Sequence, residues 1–191
     1  LSGLALKNEL ANKITVTHTN NLSYTQVWNA LQIIDLVPTN TSDVYLVYGY
    51  DNNDGDVTTD LTRNKNNNGG NVGDWNREHV YPKSLGTPDL GTSGPGADAH
   101  LIRACDVQRN SIRNNRKFAD GSGNSQLVNL IDWYPGDEWK GDMARIIMYT
   151  YLRYGSQCLP INVGIGSSVT IDPDMIDLFL QWNAEASVFE Y

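Results

Sequence analysis

The chain has 191 residues, with 14 Lys and Arg against 22 Asp and Glu, for a formal charge of −8. That length can bury a sizeable core in one domain spanning residues 1–191, and two Cys are too few for a small disulfide scaffold. No run approaches the ~20 apolar residues a membrane-spanning helix needs. A pI near 4.7 argues against gripping nucleic acid by bulk charge, but not against a local basic site on an acidic body.

In chain order, Leu4, Leu6, Leu10 and Ile14 predict an amphipathic first helix packed on the core. Ser23 reads as the N-cap of a second, whose apolar stripe is Tyr24, Val27, Trp28, Leu31 and Ile34. Asp43 to Tyr48 is a strand candidate. Asp51 to Asp74 is rich in Asn, Asp and Gly and predicts a long surface loop. Its Asp51, Asn53, Asp54 and Asp56 are hard oxygen donors for Ca²⁺, although their spacing misses the usual calcium-loop order and Asx residues commonly cap their own backbone. Ser84 to Ala97 is a second loop. Met143, Ala144, Ile147, Tyr151 and Tyr154 mark a buried helix, and Asp174 to Ala186 a final one.

Half of the cations, Arg77, Lys83, Arg103, Arg109, Arg113, Arg116 and Lys117, fall between Trp75 and Phe118, against only Glu78, Asp89, Asp98 and Asp106. This is either a solvated mixed-charge surface or an electropositive patch for a polyanion. Within it, Trp75-Asn76-Arg77-Glu78-His79-Val80 sets a carboxylate beside an imidazole. Successive side chains on a regular strand face opposite ways, so both can serve one site only where the strand ends, and Pro82 makes an ending plausible. Asp98 to Arg103 reads as a short second strand, after which Asp106 can cap a helix through Asn110. Asn110, Ser111, Asn114 and Asn115 are poor helix formers, so tertiary packing or a ligand must favour that helix.

Asn76-Arg77-Glu78-His79, Asp98-x-His100, Asp106 to Asn110, Arg113-x-Asn115 and Phe118 together resemble the bacterial endonuclease I family of ββα-metal (His-Me finger) nucleases. The run Lys140 to Arg145 with Tyr149, Arg153 and Tyr154 is also similar to that family. The resemblance implies an α+β fold with a strand, loop, strand and helix core at about residues 72–118. It implies a secreted or periplasmic, sequence-tolerant endonuclease acting on DNA, and on RNA as an extension, that leaves 5′-phosphate ends. In the family pattern His79 stands at the general base, while Glu78 and Asn110 stand at the ligands of one Mg²⁺, which Mn²⁺ or Ca²⁺ can replace in binding. Arg113 and Asn115 match the helix signature, Arg113 being expected in the catalytic group and Asn115 on substrate. Some family members carry an arginine between the two strands to hold the cleaved phosphate. Here Tyr81 to Ala99 offers only Lys83, with Arg77, Arg103 and Arg113 as substitutes. Either a backbone carbonyl or Asp98 can fix the His79 tautomer.

His18 reads as a surface residue and His100 as a structural hydrogen-bonding one. Cys105 and Cys158 can form a disulfide or remain free thiols. Nothing in the sequence calls for a membrane or an obligate protein partner, so a monomer acting on the phosphate backbone is expected. The rival reading is a non-catalytic extracellular module that uses the Asx-rich loop to bind a glycan or polymer through Ca²⁺. A phosphodiesterase for small nucleotides shares the chemistry but not the substrate.

Overall fold

The computed structural model describes residues 1–186. Helices α1 (Gly3–Thr17) and α2 (Gln26–Ile34) precede an antiparallel sheet of β1 (Leu36–Val37), β2 (Asn40–Tyr45) and β3 (Thr62–Asn64), in that spatial order. A separate antiparallel pair, β4 (Trp75–His79) and β5 (Ile102–Asp106), runs directly into α3 (Val107–Arg113). The hairpin β6 (Gln126–Val128) and β7 (Asp132–Tyr134) follows, then α4 (Lys140–Tyr154) and α5 (Asp177–Glu185). The class is the expected α+β, and residues 75–113 form the expected strand, loop, strand and helix. No helix among the described residues is long and apolar enough to cross a membrane.

Local chemistry accounts for the element starts. The Gln26 amide donates to Ser23 Oγ at 3.3 Å while the Ser23 amide donates to Gln26 Oε1 at 2.8 Å, a reciprocal cap that opens α2. Asp106 Oδ1 accepts from the amides of Gln108 and Arg109, both at 2.8 Å, which starts α3 despite its weak intrinsic propensity. The other oxygen of Asp106 pairs with Arg63 Nη1 at 2.7 Å, with both side chains buried. Val27 and Leu31 of α2, Trp75, Ile102 and Ala104 of the β4–β5 pair, and Met143, Ala144 and Ile147 of α4 share one core. Phe118, Phe179, Trp182 and Tyr134 meet edge to face where α5 crosses α4, the geometry that aromatic quadrupoles favour.

Several boundaries differ from those expected. None of the residues of α1 is buried; Leu4, Leu6 and Leu10 stay about 40% exposed. The helix lies along α4, held by Lys7, whose ammonium pairs with Asp172 at 2.6 Å and sits over the Tyr151 ring. Strand β2 covers Asn40–Tyr45 rather than Asp43 to Tyr48, because the chain then turns inward. Leu46, Val47 and Tyr48 are buried, the Val47 amide donates to Ala104 O, and Tyr48 takes a φ of 71°. Strand β3 lies inside the stretch expected to be all loop, and the β6–β7 hairpin was not expected. Strand β5 begins at Ile102 rather than Asp98, since Asp98 Oδ1 accepts the His100 amide at 2.9 Å and closes a turn there. Cys105 and Cys158 are both buried free thiols, which removes the disulfide alternative.

Asp106→Ala removes the α3 cap and strips the buried Arg63 of one carboxylate, so urea denaturation should show a loss of about 3–5 kcal/mol. Asp106→Asn keeps the cap acceptor and should lose clearly less. Equal losses in the two variants would contradict the double role given to Asp106.

Candidate active site

The site is assembled where β4 ends. Its last two residues, Glu78 and His79, line a single open cleft of about 270 Å³ together with Arg77, Lys83, Asn110, Arg113 and Asn115. The antiparallel register sets Glu78 opposite Arg103 and His79 opposite Ile102, the first residue of β5. The ladder stops there, which is how neighbouring side chains of one strand reach a common cleft.

Glu78 is 2% exposed. Its Oε1 accepts from the Tyr48 hydroxyl at 2.9 Å and lies 3.3 Å from Arg113 Nη1. Burial raises the carboxyl above its ordinary range, while Arg113 and the Tyr48 bond pull it back. Among the described residues no hydrogen-bond donor reaches Oε2. Asn110, one α3 turn before Arg113, donates from Nδ2 to Asn76 Oδ1 at 2.7 Å, which leaves its own carbonyl oxygen as a fixed acceptor. A hard carboxylate oxygen and a hard amide oxygen on one open cleft fit a divalent ion of the Mg²⁺ type.

His79 is 8% exposed, and its Nε2 lies 3.1 Å from the carbonyl oxygen of Gly96. A carbonyl only accepts, so Nε2 carries the proton and Nδ1 the lone pair. Burial lowers the imidazole to about 4, with the cations of Lys83, Arg77 and Arg113 adding to the shift against the Gly96 bond. The ring is therefore a neutral base at neutral pH. Gly96 is sterically committed to this task, because a Cβ there would lie 2.2 Å from Gly91 O and 2.6 Å from Leu90 O. The carbonyl alternative thus takes the tautomer-fixing bond. Asp98 is engaged instead with His100, Tyr149 and Tyr154.

Arg113 is fully buried, and its guanidinium donates to His79 O at 3.2 Å, Val80 O at 2.7 Å and Asn114 O at 3.0 Å besides pairing with Glu78. Its position is that of a clamp on the end of β4. Arg77 stacks on Tyr24 and Trp28, with its guanidinium carbon 3.6 and 4.3 Å from the ring centroids, and the Lys83 ammonium lies 5.3 Å from the Tyr24 ring centroid. Asn115 is exposed and donates to Ser84 Oγ. Arg103 is not brought to this cleft. It donates to Ala99 O and Ile102 O and pairs with Asp35 at 3.7 Å on the wall of another cavity of about 380 Å³.

Two contributors carried no functional signal in the sequence: Tyr48 comes from a buried turn after β2, and Gly96 acts through its backbone. Asn76 stood in the Asn76 to His79 run that carries the family resemblance, but its role in holding Asn110 was not legible. In the Asx-rich loop, Asp51, Asp54 and Asp56 accept from the amides of Asn53, Asp56 and Thr58, so these carboxylates serve turns.

A sequence profile described as Endonuclease I matches residues 2–191, and the chain belongs to the endonuclease I family. Two relatives, each named extracellular ribonuclease, are similar to it: one from Bacillus amyloliquefaciens and one from Bacillus subtilis strain 168. Both are 41% identical, over 197 and 198 residues respectively. The alignments take in 98% of this chain but 63% and 64% of the relatives, so the chain spans somewhat less than two thirds of their length. No solved structure matches the chain.

In the metal-free protein the His79 ring should titrate near pH 4 when followed by NMR. An unfolded chain protonates the same ring near pH 6.5, so between 6.5 and 4 the unfolded state binds more protons and this group's share of stability falls as pH drops. The share is at most about 3 kcal/mol. Asp35, which burial raises to about 6, works in the opposite sense, so the comparison must be with a variant. The wild type should lose more urea resistance between pH 7 and 4.5 than His79→Gln does, and equal losses would contradict a buried neutral ring.

Proposed function

We propose that this protein is a metal-dependent endonuclease that hydrolyses the phosphodiester backbone of DNA and RNA without reading sequence. The observation that carries this reading is the meeting of a neutral imidazole, a buried carboxylate and a fixed amide oxygen in one open, cation-lined cleft. Family membership supports nuclease chemistry, and the two relatives named extracellular ribonuclease support export and an RNA substrate.

In this mechanism Glu78 and Asn110 would hold one divalent ion, Mg²⁺ being best suited to two hard oxygens. When bound, such an ion supplies electrostatic stabilisation of the charge that builds on the phosphate. His79 takes a proton from water through Nδ1 while its Nε2–H stays on the Gly96 carbonyl, so the ring is oriented before and after the transfer. Tyr48 and Arg113 keep the Glu78 carboxylate in place, which makes Arg113 a positioning residue. Arg77, Lys83 and Asn115 are the phosphate and backbone contacts. Contacts of that kind position a strand without reading its bases. Because water is the nucleophile, a 2′-hydroxyl is not needed, which admits both DNA and RNA. The water oxygen bonds to phosphorus as the bond to the 3′ oxygen breaks and that oxygen takes up a proton from solvent, so cleavage leaves 5′-phosphate and 3′-hydroxyl ends. The monomeric state and the single domain belong to the same reading.

Purified protein should nick and then degrade plasmid DNA, and should cut single-stranded RNA, with both activities stopped by EDTA and restored by Mg²⁺. His79→Ala should lower the rate by about 10²- to 10⁴-fold. End analysis of the RNA should find 5′-phosphates. A 2′,3′-cyclic phosphate, or full activity in His79→Ala, would overturn the mechanism.

A further inference from the structure

We propose that His18, Asp98 and His100 form a second divalent-metal site, suited to a borderline ion such as Zn²⁺, that fastens the end of α1 to the loop preceding β5. One ligand atom from each of the three residues lies within 4.8 Å of the other two, and among the described residues no other three His, Cys, Asp or Glu side chains converge in this way. The site shares no lining residue with the cleft of Glu78, His79 and Asn110. It does not depend on the nuclease reading.

The donor set differs from that of the cleft. Two imidazoles and one carboxylate are ligands for Zn²⁺ and its transition-metal neighbours, whereas Mg²⁺ prefers oxygen alone. His100 Nδ1 and Asp98 Oδ1 stand 2.9 Å apart, close to the edge of about 3.3 Å between neighbouring ligands of a tetrahedral ion with bonds near 2.0–2.1 Å. The His18 and His100 rings are 5.6 Å apart at their centroids and tilted by 53°, so they approach the carboxylate from different directions.

The surroundings are those of a prepared site. The Asp98 side chain is 1% exposed and that of His100 63%, so a fixed anion lies beneath an imidazole that solvent reaches. The Asp98 carboxylate is held in a fixed orientation, accepting from the His100 amide at 2.9 Å and from the Tyr154 hydroxyl at 2.8 Å. The Tyr149 hydroxyl donates to Asp98 Oδ2 at 3.1 Å and meets His18 Nδ1 at 3.3 Å, and the Tyr149 ring stacks on His100. One phenol thereby orients all three ligands from outside, the arrangement that fixes ring and carboxylate geometry in metal sites. A cavity of about 410 Å³ opens on the group and gives an ion its entry.

Binding would tie three distant segments together: His18 directly follows α1, Asp98 and His100 precede β5, and Tyr149 belongs to α4. The same loop carries Gly96, two residues before Asp98, so a filled site also braces the carbonyl that holds His79.

The test uses the whole chain, stripped with EDTA and dialysed, with Zn²⁺ alone as probe. Calorimetry and thermal melting should show Zn²⁺ bound with a raised Tm, and binding at least about tenfold weaker in His18→Ala and in His100→Ala. Asn110→Ala should bind Zn²⁺ at this site as the wild type does. Unchanged binding in both histidine variants, loss of binding in Asn110→Ala, or no Zn²⁺ bound by the wild type would overturn the proposal. Should an alanine variant fail to fold, Co²⁺ added to the wild type decides by NMR. Paramagnetic shifts on the His18 and His100 ring protons support the site, and shifts confined to His79 overturn it.

Discussion

A carboxylate almost wholly removed from water, with a fully buried guanidinium beside it, is the constraint from which the rest of this site follows. An isolated charge of either sign would be costly in that position, so Glu78 and Arg113 are buried together and with most of their polar groups engaged. Tyr48 donates to the acid, and the carbonyls of His79, Val80 and Asn114 accept from Nη1 and Nη2 of the base, while its Nε has no partner. The same bonds join the last residue of α3 to the end of β4. The pair therefore sets the distance between the strand that carries Glu78 and His79 and the helix that carries Asn110.

Adjacent residues in this arrangement meet opposite demands. Glu78 needs a cation, and Arg113 supplies it. His79 needs to stay neutral, and burial together with the nearby cations of Lys83, Arg77 and Arg113 drives its proton off. One buried arginine thus favours the anionic form of one side chain and the neutral form of the next. Gly96 adds direction by accepting the Nε2–H hydrogen bond, and the backbone of Leu90 and Gly91 lies where a Cβ at this position would be. Pairs of titratable groups pushed apart by their surroundings are how a site divides acid, base and ligand roles at one pH.

The chemistry-bearing part of the fold was legible because it is local. Trp75 to His79 and Asp106 to Arg113 are each one short run, and the cap at Asp106 follows from residue type alone. What escaped depends on contacts distant along the chain. The Tyr48 hydroxyl reaches Glu78 across thirty positions, and a tyrosine in an apolar run reads as core. Gly96 contributes a backbone oxygen, which no side-chain pattern announces. Arg103 and Arg113 looked alike as cations in a basic segment, yet strand register sends one to another cavity while the helix end buries the other. Strands of three residues, as in β3, β6 and β7, are too short for an alternating pattern to show. His18 and His100 are separated along the chain by α2, the β1–β3 sheet and β4, so only folding brings their rings together.

The most direct test of the central claim is diffraction from crystals soaked in Mn²⁺, collected to locate the metal by its anomalous signal. The account predicts a peak in the β4–α3 cleft within bonding distance of one Glu78 oxygen and the Asn110 carbonyl oxygen, with the His79 Nε2 still on Gly96. A cleft without metal at saturating Mn²⁺, or an ion there bound through neither oxygen, would contradict it.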